Sequence, residues 1–344
     1  MRKKNLLIEN VTIRLLKENY IFLLLIVSFI ALMSGCTKRT ILNEPPNILW
    51  ITSEDMNAFI GAFGDSLANT PHLDQLAKDG VRYTHTFATA PVCSPSRSCL
   101  ITGIYATSFG TQHLRSVIDM PSEVVPYPKY LRQAGYYCTN QGKDDYNFVD
   151  STIWDENSNT AHWRNRKEGQ PFFSVFNIMT THQSQIFGTD EVFEKKYGQQ
   201  LDDNQRKDPV EINVPPYHFD TPVVRKLWAR YYDLVTLMDR EVGAILSQLE
   251  QDGLLENTIV FYYSDHGTGM PRSKRALYDS GLRVPLIIKA PKRWRKQLNL
   301  ITGSIKEDMV SFVDFAPTLL NLCQIEIPDQ MQGVAFLGDG STKQ

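Results

Sequence analysis

The sequence predicts an α/β fold, a mostly parallel central sheet sandwiched by helices, on three observations. Short runs of buried composition, Asn47 to Thr52 (NILWIT), Pro171 to Thr180 (PFFSVFNIMT) and Asn257 to Ser264 (NTIVFYYS), have the near-continuous apolar character of central parallel strands. Segments with helical spacing lie between them, the longest from Val223 to Asp252. Each run closes on polar or charged residues, where open α/β sheets gather their ligands. With 344 residues, 42% hydrophobic and 22% charged, the chain is long enough for one large α/β domain or two smaller ones. A formal net charge of -2 gives no global drive toward nucleic acid, so no nucleic-acid partner is expected and anion binding has to be local.

Ahead of the first strand, Lys3, Lys4, Arg14 and Lys17 precede an uncharged run from Tyr20 to Met33, then Ser34, Gly35 and Cys36. This is the order of a basic region, an apolar region and a small-residue cleavage site. The run falls short of the about 20 residues that a bilayer-spanning helix needs. Ser-Gly-Cys in this place resembles a bacterial lipobox. The resemblance implies a lipoprotein signal over residues 1–36, lipidation of Cys36 and a membrane anchor. It also implies a place in the bacterial cell envelope, periplasmic or at the outer-membrane surface. An ordinary cleaved signal and an uncleaved anchor are the other readings. Residues 37–46 form a tether and 47–344 the folded domain.

The first strand runs into Ser53, Glu54 and Asp55, a pair of adjacent acids that suits a hard divalent cation or caps a turn. Thr70 and Pro71 start a short helix that Gly80 stops, and Val81 to Ala88 is strand-like. The stretch Ala90 to Gly103 (APVCSPSRSCLITG) is punctuated by Pro91 and Pro95 and then turns apolar at helical spacing. That places Cys93 on a tight turn at a helix N-terminus, which favours anions. The five cysteines, Cys36, Cys93, Cys99, Cys138 and Cys323, include no C-x-x-C spacing, so neither a zinc site nor a disulfide framework is suggested. Cys99 and Cys138 sit in apolar contexts and read as structural thiols.

Tyr105 to Arg115 is a Gly-, Ser- and Thr-rich loop whose His113 and Arg115 either line a pocket or lie on the surface. A helix over Tyr127 to Ala134 precedes a strand from Tyr136 to Thr139 that leads to Lys143, Asp144 and Asp145. The strand at Pro171 to Thr180 ends in Thr181 and His182, which taken alone reads as a loop histidine. Gly188 to Pro222 is polar and Pro-rich, expected to cross the ligand-bearing face and shape access. The run at Asn257 to Ser264 ends in Asp265, His266 and Gly267. Lys274, Tyr278 and Asp279 follow in a loop, then a strand at Arg283 to Ala290 and a helix at Val310 to Leu322, kinked or broken at Pro317. No internal repeat is evident.

In a doubly wound sheet these strand ends share one edge, so Glu54, Asp55, Lys143, His182, Asp265 and His266 can meet Cys93 and Arg97. Acids for a metal, Lys143, Lys274, Arg97 and His182 for an anion, and a nucleophile at a helix start are what hydrolysis of a charged tetrahedral ester requires.

From Asn47 to about Phe336 the chain closely resembles the type I sulfatases of the alkaline phosphatase superfamily. The resemblance rests on the acidic pair after strand one, CSPSR with its downstream LITG, the glycine-lysine after a strand, SDHG, and the K-x-x-x-Y-D-x-G-x-R-V-P string at Lys274 to Pro285. It implies an alkaline phosphatase-like fold and a sulfatase domain acting on sulfuric esters or sulfamates. It implies a formylglycine made from Cys93 by a maturation enzyme, and Ca²⁺ held by Glu54, Asp55, Asp265, His266 and an oxygen of modified Cys93. Arg97 is expected to orient the formylglycine, and Lys143, His182 and Lys274 to bind the sulfate oxygens. Asp145 stands where the family usually has histidine, so it or His113 takes that basic role. A C-terminal subdomain common in the family is expected to be missing.

Thr52 to Met56 and Trp154 to Arg166 (WDENSNTAHWRNR) look most like the heparan N-sulfatase branch. That makes His162, Trp163 and Arg164 candidates to contact an anionic sugar, an exposed loop being the alternative. The implied function is removal of sulfate from a sulfated glycan. The alternatives are phosphate or phosphonate ester hydrolysis, against which CSPSR argues, and an inactive sugar-binding lipoprotein.

Overall fold

The computed structural model describes residues 44–338 and 341. The signal segment, the lipobox Cys36 and residues 37–43 of the tether lie outside the described residues. Eight strands form one sheet: β1 (Asn47–Ser53), β2 (Val81–Phe87), β3 (Tyr137–Gln141), β4 (Glu156–Ser158), β5 (Phe172–Ile178), β6 (Thr258–Ser264), β7 (Arg283–Lys289) and β8 (Ile305–Ser311), in the order β4-β3-β5-β1-β6-β7-β2-β8. Five of the seven pairings are parallel, and β7 alone runs against both its neighbours, β6 and β2. The mostly parallel sheet read from the sequence is the one observed.

The apolar runs are buried on both faces because alternate residues feed two cores. Ile48 and Trp50 of β1 join Phe173 and Val175 of β5 and Phe261 and Tyr263 of β6 on one side. Leu49 and Ile51 join Phe172, Phe176, Val260 and Tyr262 on the other. Trp50 sits at the centre of the first core, with edge-on contacts to Phe173, Tyr263 and Phe315 at centroid distances of 5.2, 5.3 and 5.6 Å.

Five helices carry the packing that positions the site: α1 (Pro71–Asp79), α2 (Cys93–Thr102), α3 (Pro128–Gln133), α4 (Pro222–Gln251) and α5 (Phe315–Leu322). Helix α4 covers the second core through Trp228, Tyr231, Leu234, Val235, Met238 and Val242. Helices α2 and α5 cover the first core through Leu100, Ile101, Phe315 and Leu319. The N-terminus of α1 is not capped by a Thr70 side-chain bond. Instead Asp239 of α4 accepts from the backbone N–H of His72 at 3.0 Å and of Leu73 at 2.8 Å, so the longest helix caps the helix between β1 and β2.

Three expectations are corrected. The segment from Val310 to Leu322 is not one kinked helix: β8 continues to Ser311, a 3₁₀ turn spans Phe312–Asp314, and α5 begins at Phe315. Ser311 and Asp314 form a capping box that sets this start, and Pro317 falls in the first turn, where its missing N–H is no loss. Strands β4 and β8 escaped the sequence reading because both are edge strands, Glu-Asn-Ser and Ile-Lys-Glu-Asp-Met-Val-Ser, with no continuous apolar signal. The Pro-rich excursion contains a helix at Asp190–Lys196 and packs mainly on α4: Asp190 pairs with Arg230, Arg206 with Asp233, and Ile212 is buried. Only its end reaches toward the ligand-bearing edge, where Trp228 donates to His218 Nδ1 and His218 Nε2 therefore donates to the carbonyl of Pro271 at 2.7 Å.

Candidate active site

Strands β1 and β6 are parallel neighbours with Ser53 opposite Ser264, so their ends place Glu54 and Asp55 beside Asp265 and His266. All four are fully buried. The turn is sharp: Asp55 takes a left-handed φ of 49°, and its N–H donates to Asp265 Oδ1 at 3.0 Å. The CSPSR string begins α2, with Cys93 as its first residue and only 2% exposed. Ser96 Oγ fastens this helix to the end of β6 by donating to the Asp265 carbonyl at 2.6 Å.

Around Cys93 the acids and cations interleave. Glu54 accepts from Arg97 Nη2 and from Lys143 Nζ, the latter at 2.8 Å. Asp55 accepts from Lys274 Nζ at 2.7 and 2.8 Å and from the backbone N–H of Gln183 at 2.7 Å. Arg97 Nε lies 3.5 Å from Asp265 Oδ2, and its Nη1 donates to Asn177 Oδ1 at 2.8 Å. Burial opposes the charges on Arg97, Lys143 and Lys274, but the adjoining carboxylates outweigh it and hold all three above their ordinary values.

His266 Nδ1 lies 2.9 Å from the Gly267 carbonyl, which can only accept, so this nitrogen carries a proton. Nε2 then faces Cys93 Sγ at 3.3 Å, Asp55 Oδ1 at 3.2 Å and Asp265 Oδ2 at 3.6 Å. Burial works against a charged His266, yet Asp265 and Asp55 push it up to about 9. Burial and Asp265 oppose the Cys93 thiolate, while hydrogen bonds from His182 and His266 bring the thiol down to about 7. Burial instead pushes Cys99 and Cys323 up to about 12 and Cys138 well above its ordinary value, so among the described cysteines Cys93 alone is chemically distinguished.

The donor set fits a divalent cation. Asp55, Cys93, Asp265 and His266 each offer a ligand atom within 4.8 Å of the others, as do Glu54, Asp55, Cys93 and His182. Asp265 Oδ2 is buried without a hydrogen-bond donor, an orphaned acceptor aimed into this cluster.

Not every candidate from the sequence joins the cluster. His182 does, its Nδ1 held by Ser184 and its ring facing Cys93. Asp145, at φ 56°, stands on the rim with Oδ2 3.3 Å from Lys143 Nζ and Oδ1 3.9 Å from Arg115 Nε. The Arg115 N–H donates to Ser94 Oγ at 2.9 Å, so Arg115 borders the start of α2 with an exposed side chain. His113 is exposed and its carbonyl holds Asn147 at 2.6 Å. His162, Trp163 and Arg164 are not brought to the cluster. Trp163 is fully buried and donates to Asp252, Arg164 grips Asp252 with two bonds, and His162 meets Gln248, so the trio secures the C-terminal end of α4.

Sequence reasoning missed Asn177, Asn140 and Thr181. Asn177 Nδ2 donates to Asn140 Oδ1 and to the Gln141 carbonyl, both at 2.9 Å, while Thr181 Oγ1 donates to the Glu54 carbonyl at 2.5 Å. The available signal was an amide standing in the otherwise apolar end of β5.

Residues 46–161 and 138–325 match the family described as Sulfatase. An ulvan-active sulfatase of Formosa agariphila is 42% identical over 340 residues, covering 88% of this chain and 56% of the relative. The human N-sulphoglucosamine sulphohydrolase is 28% identical, covering 83% of this chain and 62% of its own. The chain thus spans between about half and two thirds of these relatives' length. The solved structure of BT4656 in complex with its substrate D-glucosamine-2-N,6-O-disulfate shares the fold, with a TM-score of 0.66, 20% identity, and coverage of 88% of this chain and 81% of that one.

Proposed function

The chain belongs to the Sulfatase family, and on that premise we propose that it hydrolyses sulfuric esters or sulfamates of a sulfated glycan with a formylglycine made from Cys93 and with Ca²⁺. The observation that carries the reading is the surround of Cys93: four buried candidate ligands on one side, and Arg97, Lys143 and Lys274 among them. Glu54, Asp55, Asp265 and His266 would hold the ion, which when bound supplies positive charge to the reacting centre.

The residues of the chain account for the remaining chemistry. A maturation enzyme acting on C-S-P-S-R would oxidise the Cys93 side chain to formylglycine, whose hydrate would supply a hydroxyl for in-line attack on sulfur from the start of α2. Lys143, Lys274 and His182 bind the sulfate oxygens, and His182 or Lys274 gives the leaving group its proton. Asp145 on the rim, its Oδ2 3.3 Å from Lys143 Nζ, would take the proton that release of sulfate requires. Arg97, locked between Glu54 and Asn177, fixes the geometry of α2 at that carbon.

Peptide mass spectrometry of the Cys93 segment after expression with a maturation enzyme, paired with sulfate release from 4-nitrophenyl sulfate and N-sulfated glucosamine, tests the reading. Conversion and turnover are expected, and Cys93→Ala is inactive. Absence of turnover after conversion would leave a sugar-binding protein. For the N-terminus we propose lipidation at Cys36 and attachment to the cell envelope. The lipobox string supports it, and mass spectrometry of the mature terminus decides it, an unlipidated terminus beyond Cys36 ruling it out.

A further inference from the structure

We infer that Arg272, clamped between Tyr217 and Tyr278, is a second anion subsite that binds a carboxylate or sulfate on the sugar next to the one being desulfated. The inference deepens the proposed function and rests on it for the identity of the glycan.

The guanidinium of Arg272 lies 5.1 Å from the ring centroid of Tyr217 and 4.4 Å from that of Tyr278. Among the described residues no hydrogen bond or ion pair engages its N–H groups, so stacking fixes the side chain while its donors stay available. An arginine held by its faces and unpaired at its edge is preorganised for two parallel bonds to a planar or tetrahedral anion. Both rings are themselves solvent-accessible, 37% for Tyr217 and 53% for Tyr278, which leaves a flat apolar surface beside the charge for a sugar ring.

The placement follows from the loop between β6 and β7. Lys274, two residues on, reaches Asp55 in the Cys93 cluster, and Arg275 donates to Gln183, whose own N–H holds Asp55. The stem is tied by the Lys274 N–H to the Thr268 carbonyl at 3.0 Å and by Ser280 Oγ to the Arg272 carbonyl at 2.6 Å. His218 anchors the facing segment to Pro271, which sets Tyr217 against Arg272. Arg272 itself adopts a left-handed φ of 63°, a conformation that non-glycine residues avoid unless surroundings impose it.

The test uses the full chain carrying Cys93→Ala, titrated by calorimetry with three disaccharides. The first bears one sulfate and a uronate carboxylate, the second is its carboxyl-reduced form, and the third is the reduced form with a second sulfate. Arg272→Met is expected to weaken the first or the third by about tenfold and to leave the second unchanged. The probe that responds identifies the anion. Tyr278→Leu, which keeps the arginine but removes one clamp, is expected to weaken the same probe to a smaller degree. Equal affinity of parent and Arg272→Met for every probe, loss of affinity for the carboxyl-reduced monosulfate as well, or no binding of any probe overturns the inference. Failure of the matured wild-type chain to release sulfate would instead remove the proposed reaction, a result independent of these titrations.

Discussion

Arg97 of helix α2 and Asn177 of strand β5 are joined by a 2.8 Å hydrogen bond in a region where both side chains are buried, and Asn177 passes the connection on to Asn140 of β3. The arginine of the CSPSR string is therefore held from the sheet as well as by the acids. Asn177→Leu removes an acceptor from a buried charge and strands Asn140. Its expected cost is about 1–3 kcal/mol, read as a lower urea midpoint, together with a loss of kcat/KM after maturation. Unchanged turnover in a destabilised variant would show that Arg97 needs only Glu54.

Asp239 gives a pH-dependent prediction away from the site. Burial pushes its carboxyl from 3.8 up to about 6, against the donors of Leu73 and His72 and the charge of His72. The folded state thus binds this proton more tightly than the unfolded chain does. Its contribution is complete below about pH 4 and disappears as pH rises through 6. Urea unfolding of wild type and Asp239→Asn should show the wild type losing ground to the variant between pH 4 and 7. A constant difference across that range would contradict the assignment.

Chelation tests the ligand set. An ion bound only to the folded chain adds about 2.7 kcal/mol at a hundredfold excess over its Kd, so a chelator should lower Tm and restored Ca²⁺ should recover it. Asp265→Asn is expected to abolish both the shift and the metal content measured by mass spectrometry. Bound metal retained by Asp265→Asn would move the site elsewhere.

The trio at residues 162–164 should behave as packing. Trp163→Ala is expected to cost about 3–5 kcal/mol, because the ring is fully buried against Phe172 and Phe176. Arg164→Ala should leave KM for an anionic sugar as it was, since its guanidinium is already spent on Asp252. A raised KM in Arg164→Ala would restore the substrate-contact reading.

Much of this was legible in one dimension because the central strands carry a double-sided apolar signature and their ends carry charge. Asn47 to Ser53 announces both the core and the acids, and the two prolines beside Cys93 announce the helix start. What escaped was whatever draws its role from a partner distant in sequence. Asn177 is an amide in an apolar strand until Arg97, 80 residues away, is placed against it. Trp163 and Arg164 look like a sugar platform until Asp252 closes over them. Edge strands escaped for a different reason: the half-buried Lys306 and the exposed Glu307 and Asp308 in β8 have no period that distinguishes strand from loop.

The interleaving around Cys93 also sets an arithmetic of charge. Three carboxylates, on Glu54, Asp55 and Asp265, stand against three cations, on Arg97, Lys143 and Lys274. His266, pushed up to about 9 by Asp265 and Asp55, adds the one positive surplus of this protein scaffold, and its Nε2 would give up that proton to a metal. A divalent ion bound there would replace that surplus with its own larger charge. Ion and sulfate would then be mutual effectors, each tightening the other by the same factor.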